Sequence, residues 1–204
     1  MFSDHDRCTD PAEADGAPLV FIPGNEVSAG GVHILHVDAS TEVPPHRDRQ
    51  VVIDAINHDG GFAVVAHPNW ERHFCHCSQE ALERWHGYTG IEIYNGVVRW
   101  LRGSPFATDR WDRLLGQGHR VWGYAHDDAH WPVNYGIAWN MVLAESRTRE
   151  AIVDALRNGR FYGSTGVKIE SVEVEGHTVR VQTTNAQRIA VVTDFGFRPA
   201  QADD

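Results

Sequence analysis

The run Phe62-Ala63-Val64-Val65-Ala66-His67-Pro68 constrains this chain more than any other segment. Its unbroken apolar stretch predicts a strand covered on both faces, because a half-buried strand would alternate. Such strands belong to sheets flanked by helices or closed into barrels. The run ends in an imidazole, His67, and Pro68 then stops the ladder by removing a backbone donor.

The same rhythm recurs along the chain. Strand-like runs at residues 19–27, 32–37, 91–95, 121–125 and 139–145 alternate with helix-patterned segments at 47–58, 78–85, 108–118 and 148–159. This predicts an α/β fold with a parallel sheet or barrel. Ser78, Thr108 and Thr148 are read as N-caps, and Asp59-Gly60-Gly61 as a helix stop. On the first helix Val51, Val52, Ala55 and Ile56 share an expected inner face. Beyond Arg160 the pattern changes: three short runs within residues 167–195, parted by Gly176-His177 and Asn185-Ala186, predict an antiparallel appendage. The expected organisation is one unit over residues 1–166 and a β-rich appendage over 167–204.

Active groups of such folds gather where strand ends converge on one mouth. Glu26, His67, Glu92, Asn95, Asp128 and His130 all stand at strand ends, where a core would place apolar residues. Buried charges need partners or a cation, and the chain holds 13 histidines, so the set is read as metal-binding. In an extended segment Asp128 and His130 point the same way and Asp127 points elsewhere. Ser28 is read as a buttress for Glu26, His33 as a residue standing behind the site and His36 as structural. Trp70, Tyr88, Tyr94, Trp131 and Tyr135 are either pocket walls or ordinary packing. Arg99, Arg102 and Arg160 either meet an anionic substrate or are solvated.

A formal charge of −10 disfavours nucleic acid or an anionic membrane as a standing partner. No apolar run has the length of a membrane span, so a cytoplasmic location is the default expectation. Three cysteines make no disulfide framework. His73-Phe74-Cys75-His76-Cys77 offers four potential soft-metal ligands and is either a small zinc knot or, since it lacks the paired spacing of zinc folds, a loop or lid beside the site.

Read in order, SDHD (3–6), PGNEVS (23–28), VHIL (32–35), AHP (66–68), IEIYNG (91–96) and DDAH (127–130) resemble the PHP (polymerase and histidinol phosphatase) superfamily over nearly the whole chain. RNGRFYGSTG, residues 157–166, resembles the branch that includes carbamate-ester hydrolases. The resemblance implies a distorted seven-stranded (β/α)7 barrel with up to three divalent ions, zinc, iron or manganese, at its mouth. It implies that His5 and His130 bind a third metal, Glu26 bridges two metals, His67 binds the second and Asp128 the first, with Asn95 completing the second site. It also implies a metal-dependent hydrolase whose metal-bound hydroxide attacks a small phosphoester or a carboxylic or carbamate ester, with Glu26, His67, Asp128 and His130 as the catalytic set.

PHP domains open with a His-x-His strand that this sequence does not show, so the barrel is expected to be N-terminally incomplete, with an open edge through which chains self-associate. Two readings stand: a truncated hydrolase, or a non-catalytic remnant that binds metal or a partner.

Overall fold

The computed structural model describes residues 1–9 and 18–203. Residues 10–17 of the expected barrel unit and residue 204 of the expected appendage lie outside the described residues.

Local chemistry sets the helices. In α1 (Arg49–Asp59) the Asp48 carboxylate accepts the Gln50 N–H, and Gly60 closes the helix at φ 93°, a left-handed conformation that costs a side-chain-bearing residue strain. α2 (Gln79–Arg84) and α4 (Arg149–Arg157) are capped by Ser78 and Thr148 as expected. α3 (Thr108–Gly116) differs, since Ala107 holds the cap position and Thr108 is already helical. The inner face of α1 also differs: Val52, Ile53 and Ile56 are buried while Val51 is exposed.

Five strands form one open sheet in sequence order: β1 (Gly24–Val27), β2 (Ile34–Val37), β3 (Phe62–Val65), β4 (Gly90–Asn95) and β5 (Trp122–His126). β3, β4 and β5 are parallel, as the sequence predicts, but β2 runs antiparallel to both neighbours. The reason is chain length. The segment joining β1 to β2 is too short for a crossover and can make only a hairpin. Residues 38–61 then leave and re-enter the sheet at one end, with Val37 opposite Phe62.

Alternation sorts the strands onto two faces. Val27, Ile34, Ala63, Val65 and Ile91 pack with Val52, Ile53 and Ile56 of α1, Leu82 of α2 and Leu114 of α3. Leu35, Val37, Phe62, Val64 and Ala66 face the other way, against Tyr124 and Val153 of α4. Covering both faces of β3 explains its unbroken apolar run, each large side chain contributing roughly 1.5–3 kcal/mol by burial.

Among the described residues no ladder closes the sheet into a barrel. β6 (Trp139–Val142) and β7 (Phe161–Ser164) form a separate antiparallel pair, tethered to β5 by the Ala125 N–H donating to Asn140 Oδ1 at 3.0 Å. The C-terminal segment makes two hairpins, β8 (Ile169–Glu175) with β9 (Thr178–Thr183) and β10 (Arg188–Thr193) with β11 (Phe197–Asp203). The last strand has no counterpart in the sequence reading, because its proline and sparse apolar residues mask it. No helix among the described residues is long and apolar enough to cross a membrane.

Candidate metal centre

One rim of the sheet collects the polar residues. β1, β3, β4 and β5 present their C-terminal ends there, and β2, running oppositely, presents its beginning. Glu26, His67, Asn95 and Asp128 therefore meet His33, which precedes the first residue of β2. A search for C-terminal strand ends undervalues His33, and its antiparallel strand is the physical reason.

Glu26 is buried at the centre. Its Oε1 lies 2.6 Å from His33 Nδ1 and 3.2 Å from His67 Nε2, and its Oε2 lies 3.9 Å from His5 Nδ1. Burial alone would raise the Glu26 carboxyl, but the hydrogen bonds from His33 and His67 outweigh it and hold the group well below the ordinary carboxylate range. It is an anion in place. His5 reaches it through backbone pairing of residues 4–6 with β1: Glu26 N–H donates to Asp4 O and Asp6 N–H to Glu26 O. Ser28 does not support Glu26 directly. It donates its hydroxyl and its N–H to the Asp6 carboxylate and so fastens the strand carrying His5.

His67 is buried and its Nδ1 has no hydrogen-bond partner among the described residues. Burial pulls its pKa down, yet the Glu26 hydrogen bond and the charges of Glu92, Glu26 and Asp128 raise it overall. The backbone N–H of His67 donates to Glu92 Oε2 at 2.6 Å, while Glu92 Oε1 pairs with His126 Nδ1 at 2.6 Å. Both His67 (φ 27°) and Asp128 (φ 52°) sit in the left-handed region, a strain that persists where surroundings overdetermine it.

The turn at Asp128 means that residues 127–130 are not extended. Even so, Asp128 and His130 both line the cavity, with His130 Nδ1 3.6 Å from Asp128 Oδ1. Asp127 points elsewhere, accepting the N–H groups of Gly136, Ile137 and Ala138. Burial, then Glu92 and Glu26, raise the Asp128 carboxyl. Asn95 donates its amide to Glu92 Oε2 and Asp128 Oδ2, and its oxygen accepts the Val98 N–H.

Among the described residues there are two sets whose ligating atoms lie within 4.8 Å of one another: His5, Glu26 and His33, and separately His33, His67 and His76. A carboxylate with imidazoles suits a first-row divalent ion. The buried His67 nitrogen without a partner among the described residues and the Glu26 carboxylate, whose pKa is lowered, are what such an ion would satisfy, so the residues fit the group. Asp128 and His130 are in neither set. His76 comes from the segment whose residue types mark it as a potential ligand source and which is read as a loop or lid.

Two cavities open on the cluster. One of about 690 Å³ has apolar walls that include Leu35, Phe62 and Tyr124. The other, about 260 Å³, sets Trp70, Leu101 and Trp131 beside His33 and His67. Tyr135 lines the first, whereas Tyr88 is core, its hydroxyl donating to Leu82 O. Tyr94 packs edge-on to Phe106. No arginine or lysine among the described residues lines either cavity.

No protein-family model matches the chain, and no curated protein matches it. Among solved structures it is similar to a two-domain protein from Bacteroides vulgatus described as containing a predicted PHP-like metal-dependent phosphoesterase. The TM-score is 0.62 at 18% identity, over 94% of this chain and 66% of that one. The likeness is one of fold alone.

Proposed function

We propose that this chain is a metal-dependent hydrolase acting on a small ester. The observation that carries the reading is the convergence of a buried Glu26 carboxylate with His5, His33 and His67 along the smaller cavity. The PHP-like fold supports it. A divalent ion held there supplies Lewis acidity and a water nucleophile at neutral pH.

The chain's own groups do the rest. Glu26 provides fixed negative charge, Glu92 holds the His67 backbone and the His126 ring in place, and Asp128 and His130 border the space where an ester would lie. Walls without arginine or lysine favour an uncharged carboxylic or carbamate ester, or a phosphodiester, over a phosphomonoester dianion.

The test is hydrolysis of p-nitrophenyl acetate, an aryl carbamate, a phosphodiester and a phosphomonoester by protein loaded with zinc, manganese or iron. His67→Ala should lower the rate at least about 100-fold. Full activity in that variant would sink the reading. A second reading, a metal-binding subunit without catalysis, is favoured by the absence of Asp128 and His130 from both ligand sets. Metal uptake with no turnover on any ester supports it.

A further inference from the structure

The loop between β3 and α2 carries an imidazole that the hydrolase reading leaves unused. His76 is drawn under the cluster: its ring centroid lies 4.6 Å from that of His33 and 4.9 Å from those of His67 and Trp70. Its side chain is 6% exposed although Cys75 beside it is exposed. The loop reaches this position through strained backbone, with positive φ at Glu71, His73 and Phe74, and through His76 N–H and Cys77 N–H both donating to Pro68 O.

We propose that His76 is the third ligand of a three-imidazole metal position formed with His33 and His67, selective for zinc-class ions. Each of the three rings offers a nitrogen within 4.8 Å of the others. Glu71 Oε1 lies 3.0 Å from His76 Nδ1, the carboxylate-to-histidine contact that fixes a ligand's tautomer and leaves Nε2 with its lone pair. That Nε2 accepts the His33 backbone N–H at 3.0 Å, a weak neutral contact that an ion displaces. The Nδ1 of the buried His67 has no hydrogen-bond partner among the described residues, a demand that a bound group would meet. Neutral nitrogen donors select zinc, copper or nickel over magnesium, calcium or manganese, and three protein ligands leave one coordination place open. Because His33 belongs to both candidate sets and a neutral imidazole has one lone pair, the first ion bound takes one set or the other.

This inference rests on the presence of a metal centre but not on turnover, and binding measurements separate the two. Metal-stripped protein is titrated with Zn²⁺ against a chromophoric chelator, and with Co²⁺ while the visible spectrum is recorded. His76→Gln is the decisive variant, since its amide oxygen can still accept the His33 N–H but cannot replace an imidazole ligand. Expected results are at least about a tenfold loss of zinc affinity and an altered cobalt spectrum, with a smaller loss in Glu71→Gln. Cys75→Ser should change neither. In native protein carrying one equivalent of Co²⁺, three shifted, exchangeable imidazole N–H resonances are expected, a reading that needs no variant. Unchanged affinity and spectrum in a folded His76→Gln, or two or fewer such resonances, would overturn the inference and leave His76 as an anchor for the His33 backbone. Zinc bound through His76 with no ester hydrolysed would sink the hydrolase reading alone.

Discussion

Glu92 has almost no contact with solvent, yet it organises much of the rim. Its two oxygens take the His67 N–H, the Asn95 amide and the His126 ring. Burial would raise its carboxyl, but His126 and His67 lower it overall, so it is an anion that positions its neighbours. Glu92→Gln removes that charge and turns one acceptor into a donor, and metal affinity should fall about 10- to 100-fold. Unchanged chelator competition would refute the positioning role. A second residue-scale prediction concerns His36, which is fully buried near Asp59. Burial lowers its folded pKa despite the opposing charges of Asp59 and Asp38. Below the ordinary histidine value the unfolded chain therefore takes up a proton that the folded chain resists. Stability is whole above about pH 6.5 and drains as pH falls toward the lower folded value. The urea midpoint should drop across that window, and His36→Leu should flatten the drop. At this scale Glu26, His67, Asp128 and His130 stood out because charge at an apolar strand end is anomalous; the structure puts Glu26 and His67 each in a candidate ligand set and leaves Asp128 and His130 lining the cavity beside them. His33 was underrated because only the strand's direction reveals it, and His76 because a folded loop delivers it.

Capping separates what helix sequences announce from what they use. Asp48, Ser78 and Thr148 each accept a backbone N–H at a helix start, so replacing any one by alanine should cost about 1 kcal/mol. Thr108→Ala should cost less, because Thr108 is inside its helix and Ala107 occupies the cap. Equal losses in urea melts of all four variants would contradict the assignment. A serine or threonine before an apolar pattern marks a helix start only within a residue or so, and tertiary contacts decide the rest. Gly61 makes a related point where β3 begins. A Cβ there would lie 2.5 Å from His36 Nε2 and 2.7 Å from Val37 O, so Gly61→Ala should destabilise by about 1–3 kcal/mol through overpacking.

At the scale of the molecule, the α/β class was legible because both faces of β3 are apolar. The antiparallel hairpin of β1 and β2 was not, since alternating strands and helices say nothing about direction. The terminal strand β11 carries little apolar signal to read. What the open sheet leaves is a rim of carboxylate and imidazole groups above apolar walls, joined by short hydrogen bonds. An ion that binds the folded rim and not the dispersed chain must stabilise the fold by mass action. At a free concentration of about 100 times Kd the gain is about 2.7 kcal/mol. For a chain of this size that raises Tm by about 5–10 °C. The 13 histidines also give the unfolded chain some zinc affinity, which trims the gain. The shift should be reversed by chelator and should be smaller in His67→Ala and His76→Gln, whose lost nitrogens belong to the bound state. A scan in which zinc leaves Tm unchanged, or lowers it equally in all three proteins, would mean that the rim binds no ion more tightly than the unfolded chain does.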